Sequence, residues 1–561
     1  MRLTVAVFLL AATMITSGCL KGPKVADKVF KNGVIYTVDD SFRVAEAVAV
    51  IGDKIAFVGS NEEVQQWVGE RTRVIDLQGK TMVPGFIDGH YHFLGVGKRE
   101  YHLNLDGTRS LQEFLDRVKA EAQRLPKGRW ITGRGWIEED WPSKRFPTRQ
   151  DLDRVAPEHP VFLTRADGHA AVVNSLALKI AGITAETPDP QGGQIIKDRK
   201  TGRPTGMLLD RAMALVRNHL PPDTSFDMRR NYALKANQIA LAYGITQVHD
   251  MGVSWDVVDL YKTLYEAGEL DVRIHAYIRG PGAEADRLLE EGPQIGLYQQ
   301  KLTVRGIKIV ADGALGSRGA ALLRPYSDAD TYGFLIHRDD EIYPTIRRAT
   351  KAGIQMAIHA IGDSANRKVL DLYENAFAEV PPEQRRIADP RFRIEHAQIV
   401  ALSDMPRFAR LGVIPSMQPS HAIGDLHFAV RRLGLDRMTE GYAWRTLIDH
   451  GSYIAGGSDA PVEEGNPMIE FYAASVRKDT TGYSGEGWHP ELKMTREEAL
   501  RSLTIWASKA VFEEKIKGSI EVGKLADLVV LDRNLMTEPD DRLFDIRVVM
   551  TVIGGDVVFS R

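Results

Sequence analysis

The 561-residue sequence predicts an α/β protein built on a (β/α)8 TIM barrel, and three observations support this fold class. Eight apolar runs of strand length recur along the chain, stretches of helical pattern separate them, and polar residues follow where the runs end. Barrel enzymes place their chemistry at the carboxyl ends of the strands. A residue needed only for packing would more often be apolar there, so the pattern also indicates a functional site.

The barrel is assigned to residues 83–513. The gap between the first and second runs, about 100–240, is too long for one connection and predicts an inserted subdomain over the active-site side. Amphipathic stretches such as 341–352 supply helices between later strands. The predicted strands are 83–90, 245–250, 272–277, 307–312, 354–359, 392–396, 413–418 and 453–459.

Both ends of the chain outside the barrel resemble small β-sheets. Residues 29–82 and 514–561 alternate apolar and polar side chains around turn signals such as Gly554-Gly555. Their shared character predicts that they pair into one discontinuous small β-sandwich beside the barrel. Two unrelated appendages are the alternative.

The N-terminus predicts export. A short basic start is followed by an apolar stretch, 3–15, that is too short to span a bilayer, and small residues precede Cys19. This resembles the lipobox of bacterial lipoproteins, with a signal peptide at 1–18, lipidation of Cys19 and a tether at 19–28. The protein would then be anchored on the periplasmic or cell-surface side. A non-lipidated signal peptide and an uncleaved anchor are the alternatives.

Composition limits the partners. The net charge is −3 with acids and bases interspersed, which argues against nucleic-acid binding as the main activity. Cys19 is the single cysteine, so an intramolecular disulfide and a cysteine-ligated metal site are excluded. A small molecule is the expected partner, the lipid anchor is the expected membrane contact, and formation of a homodimer is left open.

Two histidines close the first predicted strand. Side chains alternate along a strand, so His90 and His92 project to the same side and can converge on one cation. Imidazole is a favoured ligand of zinc and its neighbours. Such a pair also arises by chance, and other residues must decide.

A lysine in the fourth run strengthens the case. Lys308 shares a strand face with Gly306 and Val310 and would point into the barrel, where an unpaired ammonium is costly. Carboxylation by carbon dioxide would convert it to a carbamate able to bridge two cations. Burial that lowers the lysine pKa favours the neutral amine that must react.

Three more polar residues, His359, His396 and Asp459, stand at the ends of later strands. Each alone could be structural, but the ordered series with the histidine pair and Lys308 resembles the metal-ligand series of the amidohydrolase superfamily. Further segments resemble the amidohydrolase-family-3 type, which includes N-substituted formamide deformylase. These segments are 311–318, 359–363, 393–398, 416–419, 457–461 and the return to the sandwich, 518–528.

The resemblance implies a divalent-metal centre. His90 and His92 would hold one ion, His359 and His396 the second, and carboxylated Lys308 would bridge them. Asp459 would touch the first ion and act as catalytic acid and base, and His396 could instead assist the carbonyl. Zinc is favoured, manganese, iron and cobalt are open, and so is the number of ions, one or two.

The implied function is hydrolysis of a non-peptide linear C–N amide bond in a small N-acyl or N-formyl compound by metal-activated water. A deaminase or cyclic-amide hydrolase on the same scaffold, and a catalytically inactive ligand-binding lipoprotein, are the alternatives. Arg318 could pair with a substrate carboxylate or brace Asp312 or Asp363. The expected substrate contacts are Arg318, His169, Trp136 and His421; His249 and His275 are expected to pack in the core or behind the ligands.

Overall fold

The computed structural model describes residues 25–220, 225–485 and 488–561. The predicted signal peptide, the lipidation site Cys19 and most of the predicted tether lie outside these ranges. None of the helices within the ranges combines the length and apolarity needed to cross a bilayer.

Eight parallel strands form a nearly closed barrel, which confirms the predicted fold class. Each strand pairs with the next along the chain, and a parallel bridge from Tyr91 to Ala460 joins the last segment to the first. All eight predicted runs are strands, although their ends differ by a few residues. The strands are β1 (Phe86–Tyr91), β2 (Ile245–Val253), β3 (Arg273–Arg279), β4 (Leu302–Val310), β5 (Gln355–Ala360), β6 (Arg393–His396), β7 (Ile414–Met417) and β8 (Ala455–Gly456).

Helices cover the outside of the barrel, so the strands are buried on both faces, and β5 is buried at every position. A short strand, Gln294–Gly296, runs antiparallel to β4. The helices of the barrel and its loops are Phe93–Arg99, Phe226–Ala242, Trp255–Glu266, Ala283–Glu291, Asp339–Ala352, Asp363–Glu379, Met405–Leu411, Pro419–Asp425, Ala429–Leu433, Trp444–Asp449, Pro467–Val476, Arg496–Ser502 and Ile505–Ala510.

An inserted subdomain with its own six-stranded sheet follows β1. Helices Leu111–Arg124, Arg149–Val155, Ser175–Ile180 and Ala214–Arg217 accompany this sheet. Helix Phe226–Ala242 falls within the predicted limits 100–240, but it leads into β2 and buries alanines in the barrel core. In sheet order the strands of the insertion are Gly193–Lys197, Pro204–Asp210, Ala170–Val173, Val161–Arg165, Ile131–Trp136 and Leu103–Asn104.

The two ends of the chain share one sheet, as predicted. Leu528–Leu531 pairs antiparallel with Thr81–Pro84, which joins the C-terminal part to the N-terminal part. A second sheet packs its apolar side chains with the first in a common core. The shared sheet contains Asp556–Ser560, Val548–Ile553, Leu528–Leu531, Thr81–Pro84, Val34–Tyr36 and Val44–Ala45; the second contains Lys54–Gly59, Ala47–Ile51, Lys28–Lys31 and Arg73–Asp76.

Candidate metal centre

The six predicted ligands lie at or near the carboxyl ends of barrel strands. Two of them, His396 and Asp459, have positive φ angles of 72° and 60°. Non-glycine residues rarely adopt this conformation, and here it takes both side chains out of the alternation of a regular strand. The predicted ligands are His90 in β1, His92 just after it, Lys308 in β4, His359 in β5, His396 at the end of β6 and Asp459 after β8.

The side chains converge. The ring centroids of His90 and His396 are 4.8 Å apart, and those of His359 and His396 are 4.5 Å apart. His90, His396 and Asp459 each offer one ligand atom, and these atoms all lie within 4.8 Å of one another. Each of these side chains is buried, whereas the side chain of His92 is 37% exposed. The strand ends therefore bring together the donors that a transition metal prefers.

Hydrogen bonds behind three of the rings fix their tautomers. Each ring places Nδ1 against an oxygen that accepts, so Nδ1 carries the hydrogen and Nε2 keeps a lone pair. Burial lowers the pKa of His90 and His396 well below the usual range, which favours the neutral, metal-binding form. The three bonds join His90 to Glu395 (2.6 Å), His92 to the carbonyl oxygen of Met251 (3.1 Å) and His396 to Gln418 (2.7 Å).

The carboxylate of Asp459 faces these lone pairs. Its Oδ1 lies 3.0 Å from His92 Nε2 and 3.5 Å from His90 Nε2. Among the described residues this buried oxygen has no partner with hydrogen-bond geometry. Nitrogen lone pairs aimed at a carboxylate repel it, and a divalent cation between them would turn the repulsion into coordination. The residues present therefore fit a metal ion.

His359 lies next to a second carboxylate. Its Nε2 is 3.4 Å from Asp312 Oδ1. Asp312 itself is fixed because it accepts hydrogen bonds from the backbone N–H groups of Ala321, Ile361 and Gly362. The ring of His359 thus lies beside a fixed carboxylate, and its buried Nε2 has no hydrogen-bond partner among the described residues.

Lys308 lies inside the group of ligands. It is 6% exposed, and its Nζ is 3.1 Å from His90 Nε2. Burial lowers the pKa of Lys308 to about 8, although the nearby carboxylates of Glu395 and Asp459 oppose the shift. A lysine with this pKa is partly neutral near pH 7, the state that carboxylation requires.

Sequence reasoning did not identify the residues that support the ligands. Asp88 accepts from the backbone N–H of His90 and from both the N–H and the hydroxyl of Ser458, which ties β1 to the loop that carries Asp459. Glu395 fixes His90 from another strand. The partners that reveal these roles are distant in the sequence: Ser458 is 370 residues from Asp88, and His90 is 305 residues from Glu395.

A cavity of about 660 Å³ opens above the centre, and two predicted substrate contacts line it. His169, from the insertion, holds its Nδ1 2.6 Å from Asp210 Oδ1, and its ring centroid lies 5.0 Å from that of His359 with the rings tilted. His421 stacks 5.7 Å from the ring of His396. Both imidazoles are placed where a substrate on the metal centre would meet them.

Trp136 does not reach the cavity, which corrects the expectation of a substrate contact. Its ring is fully buried with Phe114 and Trp141 in the core of the insertion, and its Nε1 donates to the carbonyl of Leu163 at 3.1 Å. The neighbours on either side of Trp136 in the chain line the cavity instead, because side chains alternate along its strand.

Arg318 also differs from the expectation. Its Nε and Nη2 donate to the two carboxylate oxygens of Asp328 at 3.1 and 2.8 Å. This bidentate pair occupies the guanidinium fork. Arg318 therefore pairs within the loop after β4, with Asp328 instead of Asp312 or Asp363, and it does not line the cavity.

Comparisons with known proteins agree with this geometry. A model described as the amidohydrolase family matches residues 73–559. The putative amidohydrolase YtcJ of Bacillus subtilis is 34% identical over 546 residues, covering 95% of this chain and 99% of the relative. N-substituted formamide deformylase of Arthrobacter pascens is 31% identical, covering 95% and 98%. The crystal structure of an uncharacterized metal-dependent hydrolase from Pyrococcus horikoshii has a TM-score of 0.72 at 27% identity, covering 91% and 99%.

Proposed function

The chain belongs to the amidohydrolase family, and from that premise we propose that it hydrolyses a linear, non-peptide C–N amide bond of a small N-acyl or N-formyl compound. The observation that carries the proposal is the buried group of His90, His396 and Asp459 at the floor of the cavity. In the reaction the oxygen of water adds to the acyl carbon, the C–N bond breaks, and the leaving nitrogen takes a proton. The products are a carboxylic acid and an amine.

The metal would be held by the residues that converge at the strand ends. His90, His92 and Asp459 would bind one ion, His359 and His396 a second, with carboxylated Lys308 between them. Zinc suits this set of imidazole and carboxylate donors. A bound divalent cation lowers the pKa of water and polarises the carbonyl that water attacks.

Asp459 is the proposed acid and base. While Oδ1 faces the histidines, Oδ2 lies 3.7 Å from His421 Nε2 on the cavity side. A carboxylate in this position can take a proton from the attacking water and pass it to the leaving nitrogen. His169, braced by Asp210, would orient the substrate from the opposite wall. The neutral ring of His396 is a second group able to assist the carbonyl.

The relatives and the cavity support an amide substrate. One relative carries the name of N-substituted formamide deformylase, which acts on a formyl C–N bond. A cavity of about 660 Å³ is in the range of small-molecule sites and has room for far more than a formyl group. The larger part of the substrate would therefore be its amine side.

A substrate panel tests the proposal. Protein loaded with zinc is given N-formyl and N-acetyl derivatives of a primary amine, a cyclic amide and an aminated heterocycle, and the released amine, acid or ammonia is measured. Release of amine and acid from the linear amides is expected. Ammonia release or ring opening alone would instead identify a deaminase or a cyclic-amide hydrolase, and tight ligand binding by a metal-free protein would identify a binding protein.

Lys308→Ala tests the bridging role. The variant is expected to lose one of two metal ions, measured by elemental analysis, and to keep part of its activity through the other ion. Lys351→Ala, which changes an exposed lysine on helix Asp339–Ala352, is the matched control. Full activity with unchanged metal content in Lys308→Ala would exclude a bridging lysine.

A further inference from the structure

The cavity above the metal centre is strongly acidic. Ten carboxylate residues and two arginines line it. Low-dielectric walls with one sign of charge concentrate the opposite charge inside a cleft. The acidic residues are Glu100, Asp106, Asp140, Asp167, Asp425, Asp459, Glu463, Glu464, Glu470 and Asp479; the arginines are Arg99 and Arg165.

Most of these acids have no cationic side chain as a partner. Asp167 pairs with Arg165 at 2.6 Å, and Glu100 lies 3.5 Å from Arg99. Within the part of the chain that the structure describes, eight of the ten acids have no lysine or arginine nitrogen within 4.0 Å of their carboxylates; of these, Asp459 and Asp479 each have a histidine nitrogen at 3.0 Å, and six are left. The six are Asp106, Asp140, Asp425, Glu463, Glu464 and Glu470.

The two arginines have other partners. Arg99 donates to the backbone carbonyls of Glu463 and Glu464 at 3.2 and 3.3 Å, so it meets their main chain and not their carboxylates. Arg165 is fully buried between Glu138 and Asp167. Neither cation is therefore available to the six acids.

Glu463 stands next to the catalytic group. Its Oε1 is 3.9 Å from His421 Nε2, and the same nitrogen is 3.7 Å from Asp459 Oδ2. One imidazole therefore separates Glu463 from the proposed acid and base. Burial raises the pKa of Glu463 well above its usual range, with Glu470 and Asp425 adding to the shift, and raises the pKa of Glu470 to about 8. A cation that enters beside these two carboxyls lowers both pKa values and replaces the protons that the empty site would hold.

Buried polar atoms beside Glu463 lack partners. Glu470 is 2% exposed, and its Oε2 accepts from the backbone N–H of Ser420 at 2.9 Å. Its Oε1, the hydroxyl of Ser420 and Nε2 of His421 are buried, line the cavity and have no hydrogen-bond partner among the described residues. Native proteins seldom leave such atoms unsatisfied, because each one costs free energy. A ligand that donates hydrogen bonds would satisfy the carboxylate oxygen and the hydroxyl, both of which can accept.

We propose that Ser420, Glu463 and Glu470, here called the acidic wall, bind a protonated amine of the substrate. Resting on the proposed function, this defines the substrate as an amide that carries a second, cationic nitrogen on its amine side. A primary ammonium has three N–H donors and no acceptor, which matches two carboxylates and a hydroxyl. A quaternary ammonium would instead call for a cage of aromatic rings.

Two substrates that differ only in a terminal ammonium group test whether the protein recognises that charge. N-acetyl-1,4-diaminobutane and N-acetylpentylamine have the same amide and nearly the same shape, but one ends in an ammonium and the other in a methyl group. The wild-type protein is expected to show about 10- to 100-fold higher kcat/KM for the ammonium compound, the value of a charge-assisted hydrogen bond. Equal values, or a preference for the neutral compound, would overturn the acidic wall.

Conservative variants test whether the preference for the ammonium substrate depends on the two glutamates. Glu463→Gln and Glu470→Gln keep the shape of each side chain and are expected to lower the ratio of the two kcat/KM values about 10-fold. Glu290→Gln, an exposed glutamate on helix Ala283–Glu291, is the matched control and should keep the wild-type ratio. A wild-type ratio in both cavity variants would place the selectivity elsewhere and contradict the proposal.

Calorimetric binding separates the two proposals. If neither amide is hydrolysed, the proposed function fails, but the acidic wall still predicts tighter binding of the ammonium compound to the wild-type protein than to Glu463→Gln. If both are hydrolysed without preference, the function stands and the acidic wall fails. Each outcome therefore decides one of the two proposals by itself.

Discussion

Two groups of histidines lie on the same barrel and differ in what their ring nitrogens meet. The metal-facing group, His90, His92, His359 and His396, lies at the last two positions of a strand or just beyond it. The deep pair, His249 in β2 and His275 in β3, lies four residues before the end of each strand. Burial does not separate the groups, because both members of the deep pair are at most 1% exposed.

The surroundings of the deep pair explain its different role. His249 Nδ1 accepts a hydrogen bond from Arg393 at 3.0 Å, and His275 Nδ1 is 3.8 Å from Glu513. Neither ring lines the cavity. The nitrogens of the histidines in the middle of these strands thus face charged side chains of the barrel interior, whereas the histidines at the strand ends converge on one group with Asp459. Position along the strand, and not residue type or burial, decides the chemistry.

One ion pair joins the deep pair of histidines to the metal-facing group. Arg393 donates to Glu395 at 2.8 and 2.9 Å, and Glu395 in turn accepts from His90 at 2.6 Å. The deep pair, Arg393 and Glu395 are here called the deep layer. This layer supports the metal-facing group from behind. If this comparison is right, changes in the metal-facing group should act on catalysis, and changes in the deep layer should act on stability or on metal affinity.

The largest expected effect is on catalysis. Asp459→Asn should lower kcat/KM for an N-acyl substrate roughly 10³-fold, because an amide cannot take a proton from water. His275→Asn, in the deep pair, should lower it by less than about 10-fold, because this ring is remote from the cavity. Comparable losses in the two purified variants would break the comparison.

Arg393→Met should have the next largest effect, on stability. The substitution leaves Glu395 and its neighbours buried without their cation, and the free energy of unfolding should fall by about 3–5 kcal/mol. Arg410→Met removes an arginine that is 56% exposed and pairs with Glu374, and it should cost less than about 1 kcal/mol. Urea unfolding measures both, and similar losses would show that Arg393 does not hold the deep layer.

Glu395→Gln should affect metal affinity. The variant keeps the size of the side chain but loses the charge that orients His90, and zinc affinity should fall about 10- to 100-fold in competition with a chelator. Glu513→Gln makes the same change beside His275 and should leave the affinity at its wild-type value. A loss in both variants would mean that the metal senses the whole charged interior and not the bond to His90.

The sequence could predict the barrel and the ligands because both depend on local order. Strand-length apolar runs ending in polar residues recur eight times, and the histidine pair is visible within three residues. The role of Glu395 could not be predicted. Side chains alternate along a strand, so Glu395 would be expected on the face of β6 opposite to that of His396. Only the left-handed backbone at His396 brings both side chains inward, and the partner of Glu395 lies 305 residues away.

The two wrong substrate contacts have equally physical causes. The residues immediately before and after Trp136 line the cavity. A prediction that is wrong by one position along the strand therefore puts the side chain on the opposite face of the sheet. Arg318 is paired by Asp328, ten residues later in the same loop, and loop conformation is not encoded in a periodic pattern. The acidic wall was missed for the same reason, since its residues come from separate segments after β7 and β8.

The smallest expected effect is a change in the pH dependence of stability. Burial lowers the pKa of His275 below 6.5, while Glu513 partly opposes the shift and Arg305 and Lys517 add to it. As pH falls below about 6.5, the unfolded chain binds a proton that the folded chain does not, so wild-type stability declines by up to about 1.4 kcal/mol per pH unit for this residue. His275→Asn removes that term, and its unfolding free energy, measured from pH 7.5 to 5, should fall less steeply than that of the wild type. Parallel curves would show that the pKa of His275 is the same in the folded and unfolded chains, and a curve that falls more steeply for the variant would show a His275 held protonated in the folded protein.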